Sequence, residues 1–125
     1  MTTWTSDDLT AIGSADEVQI TALRRDGTPR PPVPIWIVRD GGQLYIRSYR
    51  GAEGAWYRAA RSNGAGHIRA DGVDKDVTFK AETDPEVLNR IHAAYRSKYA
   101  RYGASYVTAM TSEEARATTL KLNPR

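Results

Sequence analysis

The chain has 125 residues, of which 40% are hydrophobic and 26% charged, and it contains no cysteine. These values are typical of one globular domain spanning residues 1–125, and they exclude disulfide bonds, thiolate metal sites and cysteine nucleophiles. The formal net charge of +3 suits an anionic small ligand or simply solubility, and it is far below the basic load of a dedicated nucleic-acid-binding protein.

From the first residues of the sequence we expect no targeting signal. Its first residues include neither a basic cluster nor an apolar run, which argues against a signal peptide. No segment approaches the roughly 18 consecutive apolar residues of a membrane-spanning helix. We therefore expect a cytoplasmic protein with no membrane partner.

The first half of the chain predicts a short helix and three strands. In chain order these are a helix over 4–12 and strands over 17–23, 33–38 and 43–49. Thr5 is the expected N-cap of the helix. Asp26 and Gly27 form one turn sequence between strands, and Gly41 and Gly42 form the next. Because such short turns join neighbouring strands, the sheet is expected to be mainly antiparallel.

The second half predicts one long amphipathic helix among further short elements. The expected elements are a short helix over 54–63, strands over 67–70 and 76–82 around a turn at Asp71 and Gly72, a long helix from Asp84 to Gly103, a further strand over 105–110, a helical turn over 111–114 and a closing strand over 118–122. Asp84 is the N-cap of the long helix and Pro85 its first residue. Apolar residues recur at helical spacing from Val87 to Tyr99.

This order of elements defines the fold class. Several short antiparallel strands close into a small barrel. The helices are too few and too unevenly placed for a doubly wound sheet. The sequence therefore predicts an α+β, mainly β protein, with an antiparallel barrel of about six or seven strands, a long helix after strand five and short flanking helices.

The segment 45–61 combines cations, glycines and aromatic rings. Its four arginines are Arg47, Arg50, Arg58 and Arg61. Arginine binds phosphate through a planar fork, and a helix opening near Gly54 directs free N–H groups towards an anion. Tyr49, Trp56 and Tyr57 offer faces for a planar ring. The pattern favours a site for a phosphorylated ring ligand. In the alternative, Arg58 and Arg61 are a solvated helix face and Trp56 fills the core.

Metal chemistry is not expected. His67 and His92 stand far apart, the first in a strand and the second on the surface of the long helix, without a ligand-like spacing. Asp71, Asp74 and Asp76 crowd a hairpin but lack the rest of a calcium loop. These aspartates are therefore expected to solvate the hairpin tip.

Three segments resemble known split barrels. The run from Gly27 to Arg39, GTPRPPVPIWIVR, resembles the second strand of the pyridoxamine-phosphate-oxidase-like split barrels, and Leu44 to Ser48 resembles their third. Trp56 to Ala60 looks like the Trp-Tyr-x-Asn-Leu motif of the deazaflavin-dependent nitroreductase branch. The whole chain, including 94–99 and 117–120, is similar to a bacterial family defined only as a domain of unknown function.

The resemblance implies a split barrel that forms a homodimer and binds FMN or the deazaflavin F420. In such barrels the third strand and the following loop hold the cofactor phosphate, which assigns that role here to Arg47, Ser48, Arg50 and Arg58, with Trp36 near the ring. The full set of candidate cofactor-binding residues is Trp36, Arg47, Ser48, Tyr49, Arg50, Gly51, Trp56, Tyr57, Arg58 and Arg61. No catalytic residue is marked.

The functional hypothesis is an oxidoreductase that reduces a small organic substrate by hydride transfer from the cofactor. Two alternatives stay open. One is a non-catalytic protein that binds a flavin, a haem breakdown product or another anionic aromatic molecule. The other, less favoured because the charge excess is small, is a single-stranded nucleic-acid binder that stacks bases on the interleaved rings.

Overall fold

A computed structural model describes residues 3–70 and 72–125. Its elements, in chain order, are α1 (Ser6–Ser14), β1 (Val18–Ala22), β2 (Val33–Ile35), β3 (Ile37–Asp40), β4 (Gln43–Ile46), α2 (Ala55–Asn63), β5 (Ala65–Ala70), β6 (Val73–Ala81), α3 (Pro85–Tyr99), α4 (Ala104–Met110), α5 (Glu113–Arg116) and β7 (Leu120–Pro124). Short 3₁₀ turns cover Gly51–Glu53 and Ala100–Tyr102. The predicted turn at Asp71 and Gly72 includes Asp71, which lies outside the described residues.

The seven strands form one antiparallel sheet in the order β2-β1-β5-β6-β7-β4-β3. The two edge strands, β2 and β3, are separated in the chain only by Trp36. The sheet must therefore curl until its edges nearly meet, which produces a barrel left open at that seam. This confirms the predicted α+β, mainly β split barrel with a long helix and short flanking helices. The long helix follows β6 rather than a fifth strand, because the run 33–38 forms two strands instead of one.

The predicted single strand over 33–38 is wrong, because the chain changes partners at Trp36. Ile35 pairs with Val18 on β1, whereas Ile37 pairs with Ile46 on β4. The Ile37 N–H bonds the hydroxyl of Tyr99 at 3.0 Å. The apolar run therefore supplies both edges of the barrel.

The strand predicted over 105–110 is also wrong, since this segment is α4. Gly103, with φ of 108°, separates it from the preceding turn. Val107 and Met110 lie three residues apart, so they share one helix face, and both pack into the cluster of apolar residues beneath α3. The apolar alternation of this segment thus fits a helix packed on its neighbours better than a strand.

Helix ends follow their predicted capping residues. Thr5 caps α1 by accepting from the Asp8 N–H at 3.1 Å, and Asp84 caps α3 by accepting from Glu86 at 2.9 Å. The helical turn predicted over 111–114 is α5, with Ser112 as its N-cap. No helix within residues 3–70 and 72–125 is long and apolar enough to cross a membrane.

The core has two parts on the two faces of the sheet. Inside the barrel lie side chains such as Ile20, Ile68 and Leu122, all fully buried. On the outer face of β3 and β4, α3 and α4 cover a second cluster made of Val38, Tyr45, Ile91, Tyr95, Tyr99 and Met110. The end of β4 lies between these two clusters, and the candidate site begins there.

Candidate functional site

A cavity of about 830 Å³ opens at the seam of the barrel. Its walls come from β2, the loop after β4, the start of α2, and α4 with the turn before it. The lining residues are Glu17, Arg30, Val33, Pro34, Ile35, Trp36, Arg47, Ser48, Tyr49, Arg50, Glu53, Gly54, Ala55, Trp56, Tyr102, Tyr106 and Met110. A volume of this size is in the range that holds a cofactor-sized ligand.

One wall of the cavity is aromatic. Trp36 stacks face to face on Tyr99, with ring centroids 3.9 Å apart and planes 4° from parallel. Tyr102 and Tyr106 lean against Trp36 at centroid distances of 5.5 and 6.3 Å. Tyr49 extends the wall towards Tyr106. Such a surface suits the face of a planar ring.

The position of Trp36 is set by Tyr99. The Tyr99 hydroxyl accepts from the Ile37 N–H at 3.0 Å and donates to the Asp16 carbonyl at 2.8 Å. Its ring is fully buried, and burial raises the pKa of its hydroxyl above the usual range. The Trp36 indole therefore stacks on a ring whose hydroxyl is held by two hydrogen bonds and whose backbone belongs to α3.

The opposite end of the cavity is polar and built around Ser48. Its side chain is 1% exposed, and its Oγ lacks a hydrogen-bond partner within the described chain. The Thr118 hydroxyl accepts from the Ser48 N–H at 2.9 Å, which fixes the backbone there. A buried hydroxyl without a partner costs about 1–3 kcal/mol, so this one is available for a ligand.

The first turn of α2 begins directly beside this hydroxyl. Gly54 is its N-cap and makes no side-chain cap bond, so the N–H groups of the first turn remain free. A Cβ at Gly54 would overlap the Ser48 Oγ, so only glycine leaves room for the hydroxyl in this orientation. The free N–H groups and the hydroxyl together form an anion-binding arrangement.

Arg47 is committed to internal contacts. Its side chain is 1% exposed and donates to the Thr119 hydroxyl at 2.8 Å, to the Met110 and Leu88 carbonyls at 3.1 and 3.3 Å, and to Nδ1 of His92 at 2.6 Å. No carboxylate in the described chain forms an ion pair with it. Burial lowers the pKa of Arg47 to about 10. Its contacts tie α3, α4 and the turn before β7 together behind the cavity.

Arg50 contributes an exposed guanidinium to the lining of the cavity. Its side chain makes no hydrogen bond or ion pair with residues 3–70 or 72–125. Arg30 lines another part of the cavity, and its Nε is buried without a partner in the described structure. These two cations therefore have unused donors next to the anion-binding arrangement.

Of the remaining candidate residues, Trp56 lines the cavity, whereas Gly51, Tyr57, Arg58 and Arg61 do not. Gly51 is buried with φ of 65° and faces Glu114, so its turn conformation explains the glycine. Tyr57 packs against the barrel core, Arg58 lines a smaller hollow on the other side of α2, and Arg61 is exposed and lines neither space. Trp56 packs into the barrel core and also lines the cavity, so its position is compatible with core packing and with contact to a ligand.

The sequence patterns do not identify several of the residues that line the cavity. Tyr102 and Tyr106 line the cavity but are not among the candidate residues, because the sequence predicts Tyr102 in the long helix and Tyr106 in a separate strand. Tyr99, Tyr102 and Tyr106 come from α3, the 3₁₀ turn and α4, and Gly103 interrupts the helical path between the last two. Their meeting on one wall therefore depends on how α4 packs, which no continuous helical spacing in the sequence indicates.

The surroundings of the two histidines differ partly from those predicted from the sequence. His67 lies in β5 as predicted, but it pairs with Asp74 and Asp76 of β6, so these aspartates do more than solvate a hairpin. His92 is half-buried against Arg47 rather than on the open surface of the helix. Among the described residues, no group of three His, Asp or Glu side chains could hold a metal ion.

An antiparallel barrel with an open seam is a split barrel, and several solved structures share this fold. An F420-H2-dependent reductase (FDR-A) superposes with a TM-score of 0.63 over 86% of this chain and 93% of its own, at 18% identity. A Listeria innocua protein named for pyridoxamine 5′-phosphate oxidase superposes with a TM-score of 0.61 over 94% and 88%, at 14% identity. HutZ, the haem storage protein of Vibrio cholerae, gives 0.61 over 91% and 83%, at 11%. These identities establish the fold alone.

The sequence assigns a family more narrowly. Residues 8–122 match the profile described as "Uncharacterized protein conserved in bacteria (DUF2255)", and the chain belongs to this family. No curated protein matches the sequence significantly.

Proposed function

We propose that the cavity binds a phosphorylated flavin or deazaflavin, FMN or F420, with the phosphate at Ser48 and the start of α2. The observation that carries this proposal is the Ser48 hydroxyl, which is buried without a partner among residues 3–70 and 72–125, beside a glycine that makes room for it. A phosphate oxygen would supply the missing hydrogen-bond acceptor. The free N–H groups of α2 favour the same negative charge.

The rest of the cavity fits the remainder of such a ligand. Trp36 and its neighbouring tyrosines offer a flat apolar wall for the ring. Arg50 is positioned at the mouth to bind a phosphate through two parallel N–H groups. Arg47, retained from the sequence hypothesis, acts in this proposal as a support of the wall, because its N–H groups already hold carbonyls, a hydroxyl and an imidazole.

We further propose that the protein is an oxidoreductase and a homodimer. The bound cofactor would supply hydride transfer to a small organic substrate. The protein would hold the ring against Trp36 and limit the access of water. Tyr49 and Tyr106 are 57% and 52% exposed beside the cavity, and a second subunit over this side would cover them.

The primary test is equilibrium binding of FMN and of F420 to the purified protein, by fluorescence and calorimetry. We expect one of them to bind with a micromolar or lower Kd. Ser48→Ala should weaken that binding about tenfold or more, since a hydrogen bond to a charged group is worth about 1.5–3 kcal/mol. Ser97→Ala, which changes an exposed serine of α3, is the matched control.

The outcomes separate the parts of the proposal. Unchanged affinity in Ser48→Ala would remove the phosphate placement. Failure of both ligands to bind would remove the function. If a ligand binds but a panel of nitroaromatic, quinone and enone substrates shows no turnover, the protein is a non-catalytic carrier. Sedimentation analysis gives the oligomeric state.

A further inference from the structure

A second hollow of about 400 Å³ lies on the other side of the start of α2. It is lined by Arg24, Arg25, Arg30, Ala55, Arg58, Ala59 and Ser62. Four of its lining residues are therefore arginines, and none is an acid. Like charges gathered in one place repel each other, so an anionic group bound in the hollow would reduce this repulsion.

The donors of this hollow are largely unused. None of the four arginines forms an ion pair with an acidic side chain in residues 3–70 or 72–125. Arg24 donates to the Pro29 carbonyl at 2.8 Å, and Arg25 makes one long bond, 3.4 Å, to the Ser62 hydroxyl. The Nε of Arg30 is buried with no partner in the same described segments. Most of the guanidinium N–H groups are thus free to bind an anion.

The hollow is built on fixed backbone. The Arg24 N–H donates to the Thr28 carbonyl at 2.8 Å, and the Asn63 amide donates to the Arg24 carbonyl at 2.9 Å. The second bond ties the turn after β1 to the end of α2. The cations therefore come from two elements that are joined to each other, and their convergence is a property of the fold.

The hollow adjoins the first cavity, because Arg30 and Ala55 line both spaces. The start of α2, where the proposed phosphate lies, is therefore next to the four arginines. Of the two residues shared by the spaces, Ala55 has a small side chain and Arg30 is itself one of the four cations.

We propose that this hollow is a second anion subsite, which takes a further phosphate or carboxylate group of the ligand beyond the phosphate held at Ser48. This inference rests on the proposed function for the identity of the ligand. It implies that the protein prefers a ligand with two separated anionic groups over one that ends at its first phosphate.

The direct test uses inorganic tripolyphosphate and citrate, which report phosphate and carboxylate binding without a flavin ring. We expect calorimetry to show that Arg25→Gln/Arg58→Gln weakens the binding of at least one probe about tenfold, since each exposed charged contact contributes up to about fivefold. Arg69→Gln, which removes an exposed cation from β5, is the matched control. Arg58→Gln alone serves if the double variant shows altered thermal melting.

Two results overturn the subsite: neither probe binds the wild-type protein, or the double variant and the Arg69 control bind both probes alike. The link to the ligand is tested separately. F420 carries carboxylates beyond its phosphate and should lose affinity in the double variant, whereas FMN should not, and an equal loss for both would overturn the link. Failure of the proposed function looks different, because neither FMN nor F420 would then bind while tripolyphosphate or citrate still binds.

Discussion

The contact between Gly54 and Ser48 allows a sharp test of how the anion site is built. Gly54→Ala places a methyl group where the Ser48 Oγ lies, so the hydroxyl must rotate away. We expect a loss of about 1–2 kcal/mol in the free energy of unfolding from this overpacking. A further loss of about 0.5–1 kcal/mol follows because alanine is a poorer N-cap than glycine.

Gly54→Ala should reduce the free energy of unfolding by less when the Ser48 hydroxyl is absent. Ser48→Ala alone removes a buried hydroxyl that has no partner in the described residues, so it should leave the stability of the ligand-free protein unchanged or raise it by up to about 1 kcal/mol. In that background a Cβ at Gly54 meets the Ser48 Cβ at 3.7 Å, an ordinary contact. Only the N-cap cost of Gly54→Ala then remains.

The assay is urea unfolding of the wild type, the two single variants and the double variant. The expected coupling energy between the two positions is about 1–2 kcal/mol, well above the roughly 0.3–0.5 kcal/mol scatter of independent sites. Equal costs of Gly54→Ala in both backgrounds would refute the close contact. A second measurement, FMN or F420 affinity, should fall in Gly54→Ala because the hydroxyl no longer points into the cavity.

Two further predictions concern the walls of the cavity. Trp36→Leu removes the ring stacked on Tyr99. It should lower the free energy of unfolding by about 1–3 kcal/mol and should also lower the affinity for the flavin ring. Unchanged affinity in flavin-fluorescence titrations would show that the ring binds elsewhere. Since Arg47 can only donate, Nδ1 of His92 must accept, and burial together with Arg47 lowers the pKa of His92 below its usual 6.5. The unfolded state then binds the proton more readily, so stability should fall as pH drops from about 7 to 5. His92→Gln should reduce that slope in pH-dependent urea unfolding, and an identical slope in both proteins would contradict the assignment.

The regular parts of the fold could be predicted because local patterns determine them. Asp84, Pro85 and the apolar stripe that follows predict α3, and the structure places its start at that cap. The two glycine turns likewise locate the first hairpins. These features depend on residues a few positions apart, so a single sequence contains the information.

The errors fall where distant partners decide the structure. The sequence pattern of 33–38 predicts one strand, but its two halves pair with β1 and β4, which are the second strands from the two opposite ends of the sheet order. The segment of α4 has an ambiguous pattern, and its packing against α3 selects the helix. Neither outcome is encoded within the segment itself.

The placement of Arg47 and Ser48 shows how much of the site the alternation of residues along β4 can predict. Alternation from Leu44 through Ile46 assigns Ser48 to the barrel side of the sheet and Arg47 to the side that α3 covers. The structure follows this parity, since Arg47 bonds the Leu88 carbonyl of α3 while the Ser48 Oγ faces the cavity. An arginine in a binding motif is readily assigned to phosphate by its charge. In the proposed function its neighbour Ser48 holds the phosphate instead, because the parity of the strand directs Ser48 into the cavity and its hydroxyl has no partner among the described residues.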